Sequence, residues 1–216
     1  MFVGHYGVSF AIKRVRPRTS LGTLFFAVQL LDVLFAIFVL LGIEKLRIIP
    51  GFTQYNPYDL YYMPYTHSLV GALAWSAAAA GLAVVSGARE SALWIGAAVF
   101  SHFLLDVPMH TPDMPLLGND SPKIGLGLWQ HRNLALAAEL IVLAAGWWFW
   151  HAAPARDSRA ASRRTSLYIF AGLLVGLTLA TPFFPPPRDG NDFAFQALAG
   201  YVALAAVAGW LDRTRG

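Results

Sequence analysis

Six apolar stretches, at residues 21–43, 67–86, 91–107, 133–150, 167–184 and 193–211, are separated by short polar or basic segments. A helix needs about 20 apolar residues to cross a ~30 Å hydrocarbon core, so each stretch is read as a membrane-crossing helix. Composition points the same way. The 216 residues are 56% hydrophobic and 13% charged, with a mean hydropathy of +0.51, whereas soluble domains are about a quarter charged. The expected fold class is all-α: one polytopic membrane helical bundle of about six transmembrane helices. Residues 2–12 are apolar but too short to span, and are read as a short re-entrant or interfacial helix carrying His5 and stopped near Pro17.

The net charge of +4 does not imply a nucleic-acid partner, because the basic residues fall in short clusters between the apolar stretches. Their distribution reports topology. Placing the loops alternately on two sides puts eleven Lys and Arg on one side and five on the other. The richer side includes Lys13, Arg14, Arg89, Arg156 and Arg215. The positive-inside rule then places both termini in the cytoplasm of a bacterial-type inner (plasma) membrane protein. The N-terminus runs apolar first and basic second, the reverse of a secretory signal, so no processing is expected.

Against this apolar background a few polar side chains stand out. His102, Asp106 and His110 are spaced four apart at the end of the third stretch, and on a helix such residues share a face. Pro108 interrupts strict helix, so His110 is expected on a turn. His67 opens the second stretch, and consecutive antiparallel helices joined by a short turn bring His67 to the same end as His102 and Asp106. Asp32 and Gln29 lie near the middle of the first stretch, where a carboxylate must face a partner or a water-filled cavity. Imidazole and carboxylate are ligand types that zinc and other divalent metals select, and with no cysteine present any such metal must be held by His and Asp. A single site also including His5 and Asp32 requires either a cavity reaching to mid-membrane or a re-entrant N-terminal helix. Glu139 is an acid within the fourth stretch and needs a partner, with Lys123, Arg132 or the metal site as candidates. His131 and His151 are read as interfacial, Asp59 and Asp113 as possible turn residues, and Gly125–Gly127 as a flexible turn.

Gly4-His5, Asp32, the run Tyr65-Thr66-His67-Ser68-Leu69, and Ser101-His102 through Asp106 followed by Pro112-Asp113-Met114-Pro115 together resemble the YdjM-like family of predicted membrane-bound metal-dependent hydrolases. The resemblance covers roughly residues 1–129, which divides the chain into a metal-site half (1–131) and additional transmembrane helices (132–216). The His102, Asp106 and His110 element is also similar to the metal-ligand segment of zinc-dependent phospholipases C, with a shorter Asp-to-His spacing. The family likeness implies His5, Asp32, His67, His102, Asp106 and His110 as ligands to zinc or another divalent metal such as manganese. Six ligands exceed the three that one tetrahedral catalytic zinc uses, leaving one or two ions open. It also implies hydrolysis, with Asp113, Glu139, or Asp32 where it is not a ligand, relaying protons; the location of the site near the outer leaflet points to a phosphoester or lipid-linked substrate drawn from the bilayer. Two other classes compete: a metal or small-solute transporter, and a non-catalytic scaffold with a structural metal. A transporter calls for polar groups along the whole membrane depth, and of the last two stretches only Thr178, Thr181 and Gln196 were counted as such.

Overall fold

The computed structural model describes residues 1–152 and 158–213, with side chains omitted at 158–164 and 213; Arg156 and Arg215 of the basic clusters lie outside the described residues. A 3-10 turn at Val3–His5 leads into α1 (Tyr6–Val15), followed by α2 (Leu21–Val28), α3 (Leu30–Leu40), α4 (Leu69–Val85), α5 (Arg89–Met109), α6 (Arg132–His151), α7 (Ser158–Ala180) and α8 (Gly190–Arg213). Two small antiparallel hairpins interrupt the helices. β1 (Lys45–Ile48) pairs with β2 (Tyr58–Tyr62), and β3 (Met114–Pro115) with β4 (Lys123–Ile124). Residues 44–66 are therefore partly a hairpin, and Asp59 sits on β2 with its carboxylate 2.6 Å from Arg47.

The architecture is an all-α bundle. Four helices among the described residues are long and apolar enough to cross a membrane: Arg89–Met109, Arg132–His151, Thr165–Phe183 and Gly190–Asp212. The pair α2 and α3, bent by 55° at Gln29, is together long and apolar enough to make a fifth, broken span. The second apolar stretch is shorter than its sequence suggests. Its helix, α4, has 17 residues because His67 and Ser68 lie ahead of it, with the Ser68 hydroxyl accepting the Gly71 amide at 2.9 Å as an N-cap. At the other extreme, α7 begins at Ser158, inside the stretch read as a basic linker.

Packing is α4 along α5, α1 along α6, and the broken α2–α3 pair along α8. Large apolar side chains such as Leu93, Ile141, Leu173 and Val202 point outward, while His5, His67, His102, Asp106 and Glu139 are buried. This inside-out polarity is the pattern of a chain whose solvent is lipid. The N-terminal segment is packed inside the bundle and not on its surface. His5, Tyr6 and Phe10 have no exposed surface, and Tyr6 stacks on Phe25 with ring centroids 4.2 Å apart.

The depth of α1 rests on a glycine contact. A Cβ at Gly7 would run into the Val142 carbonyl, and one at Gly146 into the Gly7 carbonyl, so the α1 and α6 backbones touch as they do at small-residue crossings in membranes. Gly146→Leu is accordingly expected to lower the thermal midpoint in detergent by several degrees, overpacking costing about 1–3 kcal/mol. Gly172→Leu, where nothing lies within 4 Å of an added Cβ, is the control and should melt like the unaltered protein.

Candidate metal centre

Helix α5 supplies the middle of the site. His102 and Asp106 are one helical step apart and both are buried, and the His102 Nε2 lies 3.0 Å from Asp106 Oδ2. The helix continues through Pro108 to Met109. His110 follows as its C-cap with extended backbone (φ −64°, ψ 148°), turning its ring back so that Nε2 stands 3.6 Å from the same Asp106 oxygen. Gly125–Gly127 is not a free turn: the amides of Leu126 and Gly127 donate to the carbonyls of Val107 (2.8 Å) and His110 (2.7 Å). Those carbonyls belong to the end of α5 and have few other partners within the helix. Gly125 has φ +153°, and a Cβ there would strike the Thr111 carbonyl.

The break in the first span supplies the second carboxylate and a support for His102. No Pro or Gly stands at Val28–Gln29. At the break the Val28 carbonyl is 2.7 Å from His102 Nδ1, which as a ring N–H donates to it. The Gln29 amide nitrogen donates to the Phe2 carbonyl at 2.9 Å. Asp32 then falls in the first turn of α3, where exposed amides favour a carboxylate. Its Oδ1 lies 3.3 Å from His67 Nε2 and 3.5 Å from His102 Nε2. Its other oxygen accepts the Tyr201 hydroxyl at 2.9 Å.

His67 is held by a relay from the β1 side. Glu44 accepts the amides of Tyr65 and Thr66 (2.8 and 3.0 Å) and the Thr66 hydroxyl (2.6 Å). With its proton so committed, Thr66 Oγ1 accepts from His67 Nδ1 at 2.8 Å. Burial pushes the Glu44 carboxyl up from its ordinary value, only partly offset by its bond from Thr66. His110 is fixed in the same manner, its Nδ1–H donating to Asp113 at 2.9 Å. Burial pulls the His110 ring down, but the charges of Asp113 and Asp106 outweigh it and its pKa lies above the ordinary 6.5.

In His67, His102 and His110, therefore, Nδ1 is spoken for and Nε2 points inward, the arrangement by which outer-shell oxygens orient metal-binding imidazoles. His5 arrives on the inserted N-terminal turn. Its ring stacks on His102 with centroids 4.0 Å apart, and its Nε2 is 3.2 Å from Asp106 Oδ1. His5 Nδ1 is buried with no polar partner, and His5 Nε2 and His102 Nε2, though 3.2 and 3.0 Å from Asp106 oxygens, make no well-aligned hydrogen bond to them. Such atoms are costly unless something binds them. The amino nitrogen of Met1 also contacts Asp106 Oδ1.

The structure thus brings His5, Asp32, His67, His102, Asp106 and His110 together. Two overlapping groups, His5–His102–Asp106 and Asp32–His67–His102, have ligand atoms within 4.8 Å of one another and could each hold a metal ion. Two ligands ~2 Å from a tetrahedral ion stand about 3.3 Å apart, close to the separations found here. Asp113 reaches the cluster only through His110. Glu139 is partnered neither by Lys123 nor by Arg132: its two oxygens accept the amides of Phe2 (2.7 Å) and Gly4 (2.6 Å), anchoring the N-terminal turn that carries His5. His131 and His151 stay out of the cluster, and His151 meets the Tyr168 hydroxyl at 2.7 Å. Tyr201, Glu44 and Thr66 are functional neighbours that sequence reasoning passed over. For Tyr201 the sequence carries a signal, since a phenol hydroxyl inside a span needs a partner.

A cavity of about 1430 Å³ opens against one side of this cluster. Asp32, His67, Asp106, His110, Glu139 and Tyr201 border it, whereas His5 and His102 lie behind. No protein-family model, curated protein or solved structure matches the chain.

Protons and metal compete for His110 Nε2, so metal affinity should fall as pH is lowered through a His110 titration lying above 6.5. Asp113→Asn keeps an acceptor for Nδ1 but removes the charge, and should move that inflection to lower pH. Tyr201→Phe should leave the inflection in place while weakening binding about 10–100-fold, the usual cost of losing an outer-shell partner. Isothermal titration with zinc across a pH series distinguishes the two; identical behaviour of both variants and the parent would remove these assignments.

Proposed function

We propose that this chain is an integral-membrane metal-dependent hydrolase acting on a phosphoester or lipid-linked substrate at the outer membrane face, the activity implied by the family its N-terminal motifs resemble. The observation that carries the reading is the placement of ligand-type side chains along the wall of a large cavity. A structural metal is best served by a closed shell of ligands. Here Asp32, His67, Asp106 and His110 border open space.

The residues fit a zinc or manganese ion on their own chemistry: inward-facing Nε2 atoms, two carboxylates and buried nitrogens without a well-aligned hydrogen bond. A divalent ion bound there supplies Lewis acidity and lowers the pKa of water toward ~7. The chain supplies the rest. His5, His67, His102, His110, Asp32 and Asp106 hold the metal, while Val28, Thr66 and Asp113 fix the tautomers. Glu139 borders the cavity and keeps a lone pair on each oxygen beyond those engaged by Phe2 and Gly4. Its role in this reading is to take a proton from an attacking water and return it to the leaving oxygen. Asp113 acts through His110 as a positioning residue.

The cavity wall also carries Tyr55, Tyr58, Pro186 and Leu204, giving an amphiphilic substrate apolar surface beside the polar end. Beyond the N-terminal turn that carries His5, the core is filled by the fully buried Tyr6, Phe10 and Phe25, none of which lines the cavity. A filled core supports a dead-end site over a translocation path.

Purified protein in detergent, assayed for phosphate release from synthetic and lipid-linked phosphoesters with zinc or manganese, provides the test. Activity should vanish on chelation and in Asp106→Ala. Glu139→Gln should lose about 10²–10⁴-fold in rate, the share general acid–base catalysis supplies, with metal content measured alongside because the substitution also removes one acceptor of the Phe2 and Gly4 amides. Hydrolysis that survives both chelation and Asp106→Ala would rule the proposal out.

A further inference from the structure

The cluster holds more ligands than one ion uses, and its carboxylate geometry divides them. Asp106 Oδ1 faces His5 Nε2 at 3.2 Å. Asp106 Oδ2 faces the other imidazoles, with His102 Nε2 at 3.0 Å, His110 Nε2 at 3.6 Å and His67 Nε2 at 3.9 Å. Asp32 turns only Oδ1 toward this second set, 3.3 Å from His67, because its Oδ2 is taken by Tyr201. His102 belongs to both metal-competent groups yet has a single nitrogen to give, since its Nδ1 is on the Val28 carbonyl. Its Nε2 stands between the two sides, 3.0 Å from Asp106 Oδ2 and 3.5 Å from Asp32 Oδ1, while its ring stacks on that of His5, so it can complete the His5 group without being needed by Asp32, His67 and His110. Asp106 is then the one residue with an oxygen for each side.

Resting on the hydrolase reading above, we infer that the centre is dinuclear and that Asp106 bridges its two divalent ions. The first ion would be held by His5, His102 and Asp106, with Oδ1 on the His5 side. The second is held by Asp32, His67, His110 and Asp106 Oδ2. Each set has the three or four protein ligands expected of a catalytic ion, and bridged pairs about 3.5–4 Å apart are the form used in phosphoester displacement. Charge narrows the substrate class. Two divalent ions against the Asp32 and Asp106 carboxylates leave a ligand sphere of net charge +2, which suits an anionic phosphate ester better than a neutral acyl ester. His5, buried behind the cavity with its Nδ1 unpartnered, is a second observation that a ligand belongs on that side. The Met1 amino nitrogen touches Asp106 Oδ1, so an ammonium competes with the first ion for that oxygen.

The full chain in lipid nanodiscs, equilibrated with manganese and freed of excess ion, is analysed for manganese per chain and by low-temperature electron paramagnetic resonance. The unaltered protein should carry two ions per chain and show the spectrum of an exchange-coupled pair. His5→Ala and His67→Ala should each carry one ion and show an isolated-ion spectrum. The unaltered protein suffices for the decision even if a variant does not fold. One ion per chain overturns the dinuclear centre and leaves the hydrolase reading standing. Two ions without coupling overturn the bridge, and no bound ion overturns both readings.

Discussion

A carboxylate buried among imidazoles, Asp106, is the constraint around which this bundle is arranged. It is 1% exposed and contacts His5, His67, His102 and His110 together with the Met1 amino nitrogen. An uncompensated charge in such a place costs several kcal/mol, so the fold is stable only if cationic or ligating partners are delivered to it. They come from four separate places: the N-terminal turn, the residue ahead of α4, α5 itself, and its C-cap. Asp32 adds a second carboxylate that the same imidazoles must serve.

Delivery explains features that would otherwise be unfavourable in a membrane bundle. A continuous first span would use the Val28 carbonyl within its own helix. The 55° bend frees that carbonyl for His102 and turns the start of α3, with Asp32, toward the site. Unpaired backbone at membrane depth is tolerated only where protein or a lined cavity satisfies it, and here His102 and the Gln29 side chain do so. The N-terminal turn is likewise held at depth, by Glu139 accepting the Phe2 and Gly4 amides and by the glycine contact between α1 and α6. The helices beyond residue 131 therefore reach the site directly, through Glu139 of α6 and Tyr201 of α8.

What could be read in the sequence was whatever depends on local period. The apolar stretches announced the helices, and the four-residue spacing of His102, Asp106 and His110 announced a shared face. Pro108 signalled that His110 would leave the helix, and the structure puts it at the C-cap. Long-range partners left no such mark. Nothing in Phe26-Ala27-Val28-Gln29 announces a break, because its cause is a histidine 74 residues away. Glu44 sits beside Lys45 and reads as a loop residue until Thr66 is brought to it. Glu139 was recognisable as an acid needing a partner, yet cationic side chains were the natural candidates and backbone amides answered instead. Similarly, the N-terminal segment is short enough to lie at an interface, and only its packing on α6 and Phe25 places it inside the bundle.

The most direct measurement is an anomalous difference map collected at the zinc edge from crystals of the zinc-loaded protein. Density lying about 2 Å from His102 Nε2 and an Asp106 oxygen, on the line between the N-terminal turn and α5, is the predicted result. Crystals that contain zinc but show no anomalous peak within reach of Asp106, or that place it among surface residues alone, would contradict the convergence on which the account rests.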